Sequence, residues 1–138
     1  MDNKILVKNV DNYRLVSIGP SGHSVIMDSS YQNGTNSAAP PMELILHALA
    51  GCTGIDVLSI MNKMEVKYSI FEIEITYKKS IEHPKVYTDI NLIYRMKADE
   101  RYRANITKAV ELSENKYCPI SAMLKKAGVN LSYDIELI

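Results

Sequence analysis

Apolar and polar positions alternate from Lys4 to Val10 and again from Tyr13 to Ile18, with Asp11-Asn12 between them. This predicts a β-hairpin. Gly19-Pro20-Ser21-Gly22 then turns the chain into a third strand, His23 to Met27, so three antiparallel strands open the fold. Residues 28 to 39 are rich in Ser, Asn, Gly and Ala and carry no core pattern. They predict a loop ending at Pro40-Pro41, where proline suits the first turn of a helix. Loops of this length are often functional.

From Pro41 to about Glu65 the chain reads as a helix with apolar residues on almost every face, among them Leu44, Ile45, Leu49, Ile55, Val57, Leu58 and Met61. A helix apolar all round is a buried one. From Ser69 to Lys79, Phe71, Ile73, Ile75 and Tyr77 alternate with Ile70, Glu72, Glu74 and Thr76, and Lys85 to Met96 continues the pattern after Glu82-His83-Pro84. These segments predict a hairpin with one buried face. Helical spacing follows over Glu100 to Asn115, a short helix over Pro119 to Ala127 closed by Lys125, Lys126 and Gly128, and a last strand over Leu131 to Leu137. The order βββ, long helix, ββ, two helices, β describes an α+β fold rather than a parallel α/β one.

A helix of that length spans about 37 Å at 1.5 Å per residue, more than the remaining short elements of one chain readily cover. A second subunit is expected to cover the rest. No linker, repeat or low-complexity tract divides the chain, so residues 1–138 read as one domain.

Composition narrows the function. Sixteen basic and sixteen acidic residues balance to zero, and no basic stripe is interleaved with aromatics, which argues against nucleic acid as a partner. The N-terminus lacks a signal-peptide core, and the apolar stretch Leu44 to Ile55 is interrupted by His47 and shorter than a membrane span. A cytoplasmic protein with reduced thiols and no membrane association is expected.

Two cysteines carry the candidate chemistry. Cys52 lies inside the long helix, and Cys118 stands directly before Pro119. Neither a CxxC loop nor a four-cysteine zinc site can be built from them. They are either buried, inert hydrophobes or a thiol pair brought together by the fold. Gly51 and Gly54 flank Cys52 in a helical pattern, where each costs about 1 kcal/mol relative to alanine, so close backbone approach or open space is expected there. Cys118 is placed to cap the helix beginning at Pro119, where amide dipoles favour a thiolate; Cys52, in mid-helix, receives no such help. Asp56, four residues after Cys52, shares its face and would act as a hydrogen-bond partner or repel the thiolate. His23, His47 and His83 are scattered, and the Glu43–His47 pair has no further ligand nearby in sequence, so no metal site is expected. Ser59 and Ser121 lack a nucleophile-elbow context.

Four segments in order, Pro41-Met42-Glu43-Leu44, His47 to Thr53, Glu82 to Tyr87 and Tyr117-Cys118-Pro119-Ile120-Ser121, resemble the OsmC/Ohr family over nearly the whole chain. The pattern is most similar to the subgroup of short OsmC-like proteins related to YhfA. The resemblance implies antiparallel sheets around a long buried central helix, in an intertwined homodimer. It also implies a thiol peroxidase acting on organic hydroperoxides, reset by a dithiol or lipoyl-type reductant, with no cofactor, metal or flavin. By that resemblance Cys52 is the peroxidatic thiolate and Cys118 the resolving thiol. The family's activating glutamate falls at Met42, so Glu43 and Arg14 are the candidates for the activating pair. The alternative is a non-catalytic, stress-related OsmC-like dimer that binds a small apolar ligand.

Overall fold

The computed structural model describes residues 3–138 and divides into two compact units, one ending at His47 and one beginning at Ala48. The first holds a three-stranded antiparallel sheet of β1 (Leu6–Asp11), β2 (Arg14–Ile18) and β3 (Ser24–Met27), in that order. Asp11 pairs with Arg14, so the hairpin turn is Asn12-Tyr13, one residue later than the sequence pattern suggested. Asn12 takes the left-handed conformation (φ 39°) that asparagine tolerates well. Every β1 side chain is exposed, and Leu6, Val7, Val25 and Ile26 present apolar surface to solvent.

The loop that follows is organised by one buried carboxylate. Asp28 accepts hydrogen bonds from the Ser29 N–H (2.7 Å), the Thr35 hydroxyl (2.5 Å), and both the N–H (2.9 Å) and hydroxyl (2.6 Å) of Ser37. Its own N–H donates to the Ala39 carbonyl, closing the loop before the helix. These donors hold the Asp28 carboxyl well below the usual carboxylate range.

Helix α1 (Pro41–Lys63) runs across the boundary between the units. By length and composition alone it would pass for a membrane-crossing helix, with a mean hydropathy of 1.8 over its most apolar stretch. The expectation of a buried helix holds only in part within one chain: a third of that stretch is buried, and Ile55 is 71% exposed.

In the second unit β4 (Tyr68–Lys79) and β5 (Tyr87–Ala98) form the expected long hairpin. Ile90, Leu92, Tyr94 and Met96 of β5 are buried on one face and form the core with Leu49, Val57 and Met61 of α1. On the opposite face Arg95 bonds Glu136 at 2.9 Å and lies near Glu72 and Glu74. A 3₁₀ turn (Glu100–Tyr102) leads into α2 (Arg103–Leu112), which adds Ile106, Ala109 and Val110 to the core. A wide π turn (Ser113–Tyr117) extends it two residues beyond the expected end, before α3 (Pro119–Lys126) and β6 (Asn130–Leu137).

One expectation needs correction. The second sheet, in the order β4-β5-β6, is mixed rather than antiparallel, because β6 pairs parallel to β5. A crossover of a dozen or more residues is what parallel neighbours require, and the two helices between Ala98 and Asn130 supply it.

Candidate functional site

Cys52 and Cys118 come together in the second unit. Their sulfur atoms and a carboxylate oxygen of Asp56 all lie within 4.8 Å of one another. Two segments distant in sequence build this cluster. Helix α1 presents Cys52 and Asp56 one turn apart on the same face. Cys118 enters at the start of α3, where it is the N-cap in extended conformation (φ −75°, ψ 108°) with Pro119 at the first helical position. Its Sγ accepts the Ser121 N–H at 3.4 Å, as an N-cap side chain does, so the expected capping role is met.

The first amides of α3 serve both sulfurs. The Ile120 N–H lies against the Cys52 sulfur and favours its ionised form, but it is outweighed. Burial pushes the Cys52 thiol up to about 11, reinforced by the hydrogen bond it shares with Cys118 and by the nearby Cys118 sulfur and Asp56 carboxylate. Cys52 is half-buried and Cys118 buried.

Ser113 ties the cluster together from the π turn. Its hydroxyl donates to the Asp56 carboxylate at 3.0 Å, and its carbonyl accepts the Cys118 N–H at 2.9 Å. A cleft of about 470 Å³, lined by Asp56, Ser59, Ile60, Lys63, Leu112 and Tyr117, opens beside Asp56. Behind the thiols lies a buried polar group: Tyr94 with Glu114, whose backbone carbonyl accepts from Lys125 Nζ at 2.8 Å. Burial raises the Glu114 carboxyl, against the pull of Tyr94 and Lys125.

The glycines beside Cys52 divide the two expectations between them. A Cβ on Gly54 would meet Ile73 Cδ1 at 3.3 Å, so the close approach is to a strand, not a crossing helix; a Cβ on Gly51 would meet nothing within 4 Å.

The other two candidate residues lie in the first unit and are engaged locally. The Arg14 guanidinium forms a two-pronged bond with Asp11, at 2.8 and 2.9 Å, and Glu43 bonds His47 at 3.0 Å one helical turn on. Among the described residues no third acidic, histidine or cysteine ligand joins Glu43 and His47. Sequence reasoning flagged Asp56 but missed Ser113, Tyr94 and Glu114, whose only signal was a polar side chain inside an otherwise apolar period.

The fold and the paired thiols place the chain in a known class: it belongs to the OsmC-like family, whose model matches residues 34–134. Protein YhfA of Escherichia coli K12 is 35% identical over 132 residues, 96% of each chain, in keeping with the subgroup the motifs indicated. A crystal structure of a hypothetical protein from Aquifex aeolicus is similar at 25% identity with a TM-score of 0.76, covering all of this chain and 98% of that one. The organic hydroperoxide resistance protein OhrB of Bacillus subtilis shares the fold at 15% identity, with a TM-score of 0.63 over 96% of both chains.

Proposed function

We propose that this protein is a thiol-dependent peroxidase that reduces organic hydroperoxides through a Cys52 sulfenic acid resolved by Cys118. The observation that carries the proposal is the juxtaposition of the two sulfurs, within 4.8 Å and sharing a hydrogen bond. Closing that gap to the roughly 2.05 Å of a disulfide takes rotamer changes and a small movement of the turn before Pro119. The substrate class follows the name of the Bacillus subtilis protein with the same fold.

In the first step the Cys52 thiolate attacks the terminal peroxide oxygen; the O–O bond breaks, the alkoxide takes a proton and leaves as alcohol, and sulfur becomes sulfenic acid. Cys118 then attacks that sulfur, releasing water and forming the disulfide. An external dithiol, of the lipoyl type, returns both cysteines to thiols and is itself oxidised to a disulfide. For the first step Cys52 must lose its proton. The Ile120 N–H and the α3 dipole assist, while Arg14 and Glu43, the candidates named by family position, are held by Asp11 and His47.

The working unit in this proposal is a homodimer in the cytoplasm. The exposed apolar side chains of α1, β1 and β3 support it, since apolar surface of this kind is stabilised when a second chain covers it.

A second reading, a non-catalytic dimer binding a small apolar ligand, is favoured by the raised Cys52 thiol and by Met42 at the position of the family's glutamate. Turnover separates the two. Steady consumption of cumene hydroperoxide with dihydrolipoate, lost in Cys52→Ser, supports the peroxidase. Absence of turnover, with saturable binding of an apolar probe, establishes the second reading.

A further inference from the structure

We infer that reduced Cys52, Cys118 and Asp56 form a three-ligand site for a thiophilic divalent cation of the zinc class, with one coordination position left open. The donor set is two sulfurs and a carboxylate oxygen, all within 4.8 Å. Around a tetrahedral Zn²⁺ with bonds of roughly 2.3 Å to sulfur, sulfur atoms stand about 3.8 Å apart, so the three groups need to close by only about an ångström. Three protein ligands and one open position is the pattern of reactive rather than structural zinc sites.

The surroundings are those a metal site needs. Ser113 Oγ donates to Asp56 at 3.0 Å and fixes the carboxylate's orientation. The Ser121 N–H donates to the Cys118 sulfur, and the Ile120 N–H faces the Cys52 sulfur, both as outer bonds to a metal-bound thiolate would. Three groups whose charged forms repel one another converge here, and a divalent cation removes that repulsion. A cleft lined by Asp56 opens on the carboxylate side of the cluster and gives a cation a direction of approach.

Binding releases the thiol protons to solvent and involves no electron transfer. It requires the dithiol, so oxidation to the disulfide abolishes it. The site does not depend on the peroxidase reading, since it is measured with no peroxide present.

The test uses Co²⁺ as a spectroscopic probe on the reduced full-length protein. Expected are thiolate-to-cobalt charge-transfer absorption and the d–d bands of a four-coordinate ion, saturating at one ion per chain and displaced by Zn²⁺. Asp56→Asn should weaken binding at least tenfold, and Ser113→Ala about tenfold, in line with the effect of outer-shell partners. Cys118→Ser and the preformed disulfide should show no charge-transfer band. A Co²⁺ spectrum without thiolate character, or Asp56→Asn affinity equal to wild type, overturns the site. If Asp56→Asn fails to fold, alkylation of the wild type decides: Zn²⁺ must protect both cysteines, and a fully reactive Cys52 or Cys118 overturns the site equally.

Discussion

Tyr94 donates its hydroxyl to Glu114 at 2.5 Å, with both side chains buried between β5 and the π turn that leads to Cys118. Burial, the Glu114 charge and this bond together push the tyrosine hydroxyl far above its ordinary range, so it remains a donor at any working pH. Tyr94→Phe removes the donor and leaves a buried carboxyl with one partner fewer. We expect a loss of about 1–3 kcal/mol in denaturant unfolding, the cost of stranding a buried polar group. A change within a few tenths of a kcal/mol would mean that Glu114 re-pairs elsewhere.

The Cys52 thiol gives a pH prediction with a definite sign. Its folded value, about 11, lies above the unfolded cysteine value of roughly 8.5, so the folded chain holds the proton more tightly. The resulting stability is fully present below about 8.5 and declines as pH rises from there to about 11. Thermal melts across that window should show the decline in wild type and its loss in Cys52→Ser. In the reduced protein, alkylation of Cys52 should climb about tenfold per pH unit over the same range. A flat profile with fast reaction at neutral pH would contradict the thiol state described above.

The two glycines beside Cys52 should respond differently to alanine. Each replacement gains about 1 kcal/mol of helix propensity. Gly51→Ala meets open space and should show that gain in full, whereas Gly54→Ala crowds Ile73 and should lose most of it. Guanidinium unfolding measures both. If Gly51→Ala is instead destabilised and sediments as a monomer, the space beside Gly51 is occupied by the second subunit.

Asp28 should control the acid stability of the loop it organises. Because its folded carboxyl is depressed, its contribution is present above the unfolded value of about 3.9 and is lost as pH falls through the lower folded one. In Asp28→Asn an amide NH₂ must face either the Ser29 N–H or the Thr35 and Ser37 donors. Faster proteolysis within residues 28–39 at neutral pH, with a shallower acid transition, is expected. Unchanged proteolysis would show that the backbone bond from Asp28 to Ala39 is sufficient.

Much of this was legible in the sequence, and the reasons are local. Period-two alternation marked β4 and β5, and Cys118-Pro119 marked a helix start because an N-cap and a first-turn proline are properties of adjacent residues. The direction of β6 was not legible, since alternation is the same whether a strand runs up or down. Nor was the Ser113–Asp56 bond, which joins residues 57 apart, or the engagement of Arg14 by Asp11, which competes with any role read from family position. The π turn had no signature either, because its wider spacing leaves the helical period almost unchanged.

That turn makes chain length itself a functional variable. Its i→i+5 geometry delivers the Ser113 carbonyl to the Cys118 N–H and the Ser113 hydroxyl to Asp56 at once. Inserting one residue between Ser113 and Cys118 would break that i→i+5 bond and carry the cysteine on by about 100° around the axis. The sulfur would then face away from Cys52, although every residue named in the site was still present. Between Leu112 and Cys118 the number of residues should therefore tolerate change less than their identity does.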